Sequence, residues 1–417
     1  MNKLFYKIFT IFFILLSVIS NFSLCDDIDN NDAIDVNSEI VSLNSAQNNI
    51  KPPDVNSRSC VVIDRNTNTI LYGKNEKEKR KMASTTKIMT ATIIIENFNL
   101  NETIEISKKA AGTGGSRLGL KTGDKITIND LLYGLMLRSG NDAAVALAEY
   151  ASGSIEGFAE LMNKKSLELG LTNTHFETPH GLDSNEHYTT AYELAILSNY
   201  ALNNTTFAQI VSTKNYTITI NGYPKQLINT NELLGNLNGV YGIKTGFTNG
   251  ANRCLVTACK RNKMDIICVV LGADKKKYRT IDSIKLINYI FDNFEPIDIK
   301  VLIDNYFNDW KNENINKIKI NKGVSQNIEL KLENIDNTII PIRKDLIDSI
   351  NITIDCPLYF EAPLSSDSNI GNVNISISGY FDFNYKIRNV YKINRKSWNM
   401  YLYDFLKNYS SLLNINL

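Results

Sequence analysis

Proline and histidine are scarce in this chain of 417 residues, which holds 8 Pro, 22 Gly and 3 His. So little Pro and Gly excludes a collagen-like or a Pro/Gly-rich low-complexity chain. Charge of one sign is missing too, since 45 basic and 44 acidic residues leave a net +1. A nucleic-acid-binding protein would show a basic surplus. Six cysteines in a chain this long do not make a disulfide framework. No Cys-x-x-Cys occurs, which argues against a thiolate zinc site. His175, His180 and His187 lack His-Glu-x-x-His spacing, so no metal and no cofactor are expected. What remains is ordinary: 43% hydrophobic and 21% charged residues suit a globular protein, and the length suits two domains.

The first stretch reads as a targeting segment. Lys3 and Lys7 precede a nearly continuous apolar run at residues 8–19. That run fits a signal-peptide core and falls short of the ~20 residues that span a bilayer. Cleavage is expected after Val18-Ile19-Ser20 or near Ser23-Leu24-Cys25, where bulky Leu24 disfavours a lipoprotein site. Residues 1–25 are therefore expected to be a signal peptide, and the mature protein to work outside the cytoplasm. Cys254, Cys259 and Cys268 sit in apolar runs and read as small buried hydrophobes; Cys60 meets Cys268 only if their strands pair.

Residues 26–57 are rich in Asp, Asn and Ser and are expected to be a disordered linker. Order is expected from 58 to 295. Cys60-Val61-Val62-Ile63-Asp64, a turn, and Thr69-Ile70-Leu71-Tyr72 form a hairpin pattern. From Ser84 the period becomes helical, with Ile88, Met89, Ala91, Ile94 and Ile95 on one face. Asn129-Asp130 is expected to cap a second helix, and Ser139-Gly140-Asn141-Asp142 to precede a third. Helices are expected at 155–169 and 190–202, strands at 216–220, 240–244, 254–260 and 264–271, and a last helix at 281–294. Strand, helical middle, strands and a final helix predict an α/β sandwich whose sheet joins both ends of the domain. Residues 296–393 alternate with period two and predict a small all-β domain, a β-sandwich. In residues 394–417, Trp398, Tyr401, Leu402, Phe405, Leu406, Tyr409, Leu412 and Leu413 share a helical face. Too short and polar to span a membrane, this helix is expected to lie on one; packing on its own β domain is the alternative.

Three short motifs carry the chemistry. In Ser84-Thr85-Thr86-Lys87, positions i and i+3 share a helical face, so the Lys87 amine reaches the Ser84 hydroxyl. A serine needs a base to become a nucleophile, and a lysine serves only where its surroundings favour the neutral amine. Ser139-Gly140-Asn141 supplies a hydroxyl for proton relay and a carboxamide able to hold Lys87 and a substrate amide. Lys244-Thr245-Gly246 ends a strand whose edge can pair with an extended peptide. Gly246 admits close approach, while Lys244 and Thr245 face an anionic group. Each motif alone is weak; their order and spacing together are specific.

On these motifs the chain resembles the low-molecular-mass penicillin-binding proteins, the serine-type D-alanyl-D-alanine carboxypeptidases. Ser116-Arg117-Leu118-Gly119-Leu120, Pro179-His180-Gly181-Leu182-Asp183 and Gly242-Ile243-Lys244-Thr245-Gly246-Phe247-Thr248 add to the likeness, which spans about residues 58–295. The resemblance implies a β-lactamase/transpeptidase-like sandwich, an antiparallel sheet with helices on both faces. It implies removal of the terminal D-alanine from peptidoglycan pentapeptides, with β-lactams as covalent inhibitors. Ser84 would be the acylated nucleophile and Lys87 its base, with Ser139 and Asn141 completing the proton network. Lys244, Thr245 and Gly246 would bind the carboxylate end of the substrate, and Arg279 would add positive charge there. The backbone N–H groups of Ser84 and Phe247 would form the oxyanion hole. The expected location is the outer face of the cytoplasmic membrane and the cell wall.

Other readings compete. A D,D-endopeptidase would use the same residues on cross-links. A β-lactamase would turn penicillin over rapidly, but Gly140 stands where that class has Asp. A non-catalytic sensor of β-lactam or cell wall does not need three intact motifs.

Overall fold

The computed structural model describes residues 36, 38, 39, 51–335 and 338–412. The expected signal peptide lies outside them. The chain divides into two compact units, Met1–Asn293 and Phe294–Leu417, two residues before the expected boundary.

The first unit opens with the expected hairpin, β1 (Ser59–Asp64) and β2 (Ile70–Lys74). Then follow α1 (Lys87–Asn97), a ribbon of β3 (Thr103–Glu105) and β4 (Lys125–Thr127), α2 (Ile128–Leu137), α3 (Asn141–Ser152) and α4 (Ile155–Glu168). After α5 (Ala191–Leu202) and α6 (Thr205–Ser212) comes a second hairpin, β5 (Asn215–Ile220) and β6 (Tyr223–Ile228). It turns on Asn221-Gly222, with φ of 52° and 82°, as a tight two-residue hairpin requires. Strands β7 (Val240–Thr248), β8 (Asn252–Arg261) and β9 (Met264–Ala273) and helix α7 (Lys276–Asn293) complete the unit.

Five strands form one antiparallel sheet in the order β2-β1-β9-β8-β7. Ser59 pairs with Leu271 and Asp64 with Ile266, so the sheet joins both ends of the unit, as the pattern predicts. Every residue of β1 is buried. Its alternate side chains serve two layers. Val61 and Ile63 join the core of Ile88, Met89, Leu132, Leu135 and Phe158, while fully buried Cys60 and Val62 face the other way. Cover on both faces is why the strand reads as an unbroken apolar run. Cys60 and Cys268 share that second face but are free thiols. The strand expected at 216–220 forms, yet it pairs only with its own hairpin partner and stays outside the main sheet.

Two boundaries differ from expectation. The second helix is capped by Thr127, whose Oγ1 accepts from Asp130 N at 3.1 Å, so it starts before Asn129. Residues 51–57 do not continue the expected linker. Ser57 N and Oγ donate to Asp282 Oδ2 at 2.8 and 2.5 Å, and Lys74 Nζ donates to Val55 O at 2.7 Å. These partners are remote in sequence, so local composition does not show them.

The second unit is not all-β. After β10 (Phe294–Asp298) comes α8 (Ile299–Asn314), capped by Asp298 and buried along Ile299, Ile303 and Phe307. That four-residue spacing is a helical stripe. Then come β11 (Lys319–Asn321), β12 (Leu330–Leu332), β13 (Ile339–Arg343), β14 (Asn351–Asp355), β15 (Tyr359–Glu361), β16 (Asn369–Ile377) and β17 (Phe381–Asn389). Four make an antiparallel sheet, β12-β17-β16-β14, and two pairs stand apart, β10-β13 and β11-β15. Helix α8 shares a core with Val373, Ile375 and Ile387. The chain closes in α9 (Trp398–Leu412), where Trp398, Tyr401, Leu402, Phe405, Leu406 and Tyr409 are all exposed. Among the described residues, no helix is long and apolar enough to cross a membrane.

Candidate active site

Ser84 stands in a single 3₁₀ turn, Ala83–Thr86, that runs directly into α1 at Lys87. The i, i+3 spacing thus works across the join of two helix types. The Lys87 amine is fully buried, with Nζ 2.8 Å from Ser84 Oγ, 2.8 Å from Asn141 Oδ1 and 2.9 Å from the His180 carbonyl. A neutral amine has two hydrogens and one lone pair. With hydrogens given to Asn141 and His180, the lone pair points at the Ser84 hydroxyl, as a base requires.

Asn141 is fixed from both sides. Its Nδ2 donates to Gly114 O at 2.8 Å and its backbone N to Ser116 O at 2.7 Å. The next residue holds that same loop. Asp142 Oδ1 accepts from Leu118 N at 2.9 Å, and Oδ2 accepts from Gly119 N and Leu120 N at 2.8 and 3.1 Å. Three charge-assisted bonds to consecutive amides make a strong clamp. Ser139 is fully buried at φ 63°, and its hydroxyl has no hydrogen-bond partner among the described residues.

Strand β7 is the sheet edge beside the nucleophile turn. A methyl group on Gly246 would stand 3.1 Å from Ser84 N and 3.2 Å from Met82 O. Glycine at this position therefore permits the close approach of strand and turn. Lys244 and Thr245 are buried, with Lys244 Nζ donating to Thr245 O at 3.0 Å. Half-buried Phe247 lies under the Arg253 guanidinium, 3.8 Å from its ring centre.

Arg279 lies on α7 and has a carboxylate partner. Expected as a positive charge for the carboxylate, it is 1% exposed on α7 and pairs with Glu232 Oε1 at 2.6 Å. Its Nε and Nη1 have no hydrogen-bond partner among the described residues. Burial pushes the Glu232 carboxyl up, but the charges of Arg279 and Lys276 outweigh it and hold the group below the usual carboxylate range.

Sequence reasoning singled out the loop around His180 for its likeness but did not find its contacts with the site. Besides its carbonyl on Lys87, Thr90 Oγ1 donates to Pro179 O at 2.7 Å, and Asp183 accepts from Thr248 Oγ1 and Gly250 N at 2.7 and 2.8 Å. The loop so ties α1 to the end of β7. His187 Nδ1 accepts from Glu177 N at 3.0 Å, which places its proton on Nε2, 2.8 Å from Thr86 Oγ1. Thr86 passes the chain on to Ala83 O at 2.8 Å. Burial above all pushes His180 down to about 3 and His187 down to about 4.

A serine hydroxyl held by a buried lysine, on an α/β sandwich, defines a serine-type acyl-transfer hydrolase. Comparison narrows the class. A family profile described as D-alanyl-D-alanine carboxypeptidase (Peptidase_S11) matches residues 46–275. The chain is 33% identical over 329 residues to D-alanyl-D-alanine carboxypeptidase DacF of Bacillus subtilis, covering 78% of this chain and 82% of that one. Among solved structures, DacD of Francisella tularensis superposes with a TM-score of 0.63 and 25% identity, covering 84% of this chain and 98% of that one. A Streptomyces DD-transpeptidase gives 0.55 and 35%, covering 57% of this chain and 98% of that one. The chain belongs to the D-alanyl-D-alanine carboxypeptidase family, and its enzyme class is serine-type carboxypeptidase.

Proposed function

We propose that this chain removes the terminal D-alanine of peptidoglycan pentapeptides through an acyl-enzyme on Ser84. The observation that carries the assignment is the Lys87 amine, 2.8 Å from both Ser84 Oγ and Asn141 Oδ1. Ser84 Oγ attacks the carbonyl carbon of the penultimate D-alanine while Lys87 Nζ takes its proton. The C–N bond to the terminal residue breaks, and the leaving amine gains a proton through Ser139, whose buried hydroxyl has no competing partner among the described residues. Water then hydrolyses the ester, again with Lys87 as base.

The backbone N–H groups of Ser84 and Phe247 stabilise the oxyanion, an effect worth about 3 kcal/mol per donor. The tight packing of Gly246 on Ser84 N supports this placement. Lys244 and Thr245 take the terminal carboxylate. Arg279 adds charge there, a role that its two unpartnered nitrogens favour. β-Lactams acylate the same serine. The work is extracytoplasmic, on the cell wall, after export through residues 1–25, and the exposed aromatic face of α9 rests on the membrane surface.

The deciding experiment measures D-alanine release from a pentapeptide ending in D-Ala-D-Ala. Wild type releases it and Ser84→Ala does not, while the variant also loses covalent penicillin labelling. Labelling that survives in Ser84→Ala refutes the nucleophile. Intact labelling without D-alanine release moves the activity to cross-linked substrates.

A further inference from the structure

A short segment joins β6 to β7. At its centre Thr230 joins two walls of the site. Its backbone N donates to Leu137 O at 3.1 Å, and its Oγ1 lies 2.8 Å from Thr245 Oγ1. Leu137 ends α2, two residues before Ser139, and Thr245 belongs to the motif on β7. One residue thus spans from the loop of the second motif to the strand of the third.

The segment itself is held firmly. Asn229 Nδ2 donates to Val211 O at 3.3 Å and Thr213 O at 3.1 Å, and Asn229 Oδ1 accepts from Asn231 N at 3.0 Å. Asn231 Oδ1 in turn accepts from Leu233 N at 3.2 Å. Thr230 is therefore fixed on each side of its own contact.

The contact has a direction. A threonine hydroxyl carries one hydrogen and two lone pairs, so only one of two touching hydroxyls donates to the other. If Thr245 donates to Thr230, its hydrogen is spent. If Thr230 donates, the hydrogen of Thr245 can turn to an anion in the cleft. Thr245 is 1% exposed, whereas Thr230 is only half-buried. An arriving carboxylate selects the second arrangement, because only that one gives it a donor.

We propose that Thr230 is a positioning residue that donates its hydroxyl to Thr245 Oγ1 and thereby aims the Thr245 hydroxyl at the substrate's terminal carboxylate. The role rests on Thr245 as a carboxylate-binding group. It predicts that Thr230 matters in proportion to the negative charge of the substrate terminus.

The test compares Thr230→Val, which keeps the shape and loses the hydroxyl, with Thr230→Ser, which keeps the hydroxyl. Each is assayed on a pentapeptide ending in D-Ala-D-Ala and on the same peptide with an amidated C-terminus, using enzyme in excess for the slower substrate. Thr230→Val is expected to lower kcat/KM on the free acid about tenfold, the size of one hydrogen bond to a charged group, mainly through KM. Thr230→Ser restores most of it, and the amide loses less than about twofold. An unchanged kcat/KM in Thr230→Val, or an equal loss on acid and amide, overturns the proposal. Thr230→Ala repeats the comparison should the valine variant not fold. A wild type that releases nothing from either peptide fails differently: it removes the carboxypeptidase reading and this role with it.

Discussion

Gly181 lies so close to the nucleophile turn that a Cβ on it would stand 1.9 Å from the Ala83 carbonyl oxygen and 2.5 Å from Thr86 Oγ1. Its φ of +84° also suits glycine alone. The residue after His180 is therefore bare because Ser84 is held on the other side of that contact.

Gly181→Ala is expected to destabilise the first unit by about 3 kcal/mol, combining overpacking with left-handed strain. The displaced turn should also slow acylation of Ser84 by more than about a hundredfold, since small misplacements at a reacting centre are expensive. Urea unfolding and stopped penicillin labelling measure the two effects. A variant with native stability and native labelling contradicts the packing described here.

Asp142 acts at one remove. Asp142→Asn keeps the size but offers one acceptor oxygen and no charge to the amides of Leu118, Gly119 and Leu120. We expect a loss of about 2 kcal/mol in stability. As the loop loosens, Gly114 O releases the Asn141 carboxamide and kcat falls. Proteolysis within residues 113–121, faster in the variant, is the independent check. Equal cleavage rates count against the clamp.

Acid should weaken the first unit. His180 and His187 stay neutral in the folded state down to about 3 and about 4, while the unfolded residues protonate near 6.5. Their contribution is whole above pH 6.5 and is lost as pH falls through the folded values. Asp64 opposes them: burial pushes its carboxyl up to about 6, so its contribution is whole below 3.8 and lost as pH rises through 6. Between pH 6 and 4 the unfolded chain thus gains two protons against one, and stability falls by ~1.4 kcal/mol per pH unit. Denaturant midpoints at pH 7, 6 and 5 give the slope, and His187→Gln should flatten it. Equal midpoints at pH 7 and 5 rule this out.

The closing helix makes a binding prediction. Eight exposed large side chains among the described residues of α9, from Trp398 to Tyr409, suit an interface. Removing residues 394–417 is expected to abolish sedimentation with phosphatidylglycerol–phosphatidylethanolamine vesicles and to leave D-alanine release intact. Continued sedimentation of the shortened chain refutes the membrane contact.

The sequence was most legible where its signals are local. Ser84 and Lys87 are one turn apart, and β1 and β9 are unbroken apolar runs, so the Ser84–Lys87 contact and the sheet joining both ends could be read directly. Signals set by distant partners were not legible. Arg279 finds Glu232, Ser57 finds Asp282, and the His180 carbonyl finds Lys87, each across a long stretch of chain. A backbone carbonyl, moreover, leaves no residue-type signature. Helix α8 was hidden for another reason: only Ile299, Ile303 and Phe307 are buried in sixteen otherwise mostly polar residues, a stripe too thin to stand out beside alternating strands.

The pairing of β1 with β9 also sets a timetable. A ribosome finishes Ser84 long before it reaches Lys244, and β1 stays without its second neighbour until residues 264–273 exist. Until then the nucleophile has neither strand β7 beside it nor a completed sheet beneath it. Such distant pairings form late. The site therefore cannot be complete until residues 264–273 have been made, because β8 and β9 are what join β7 to β1 in one sheet.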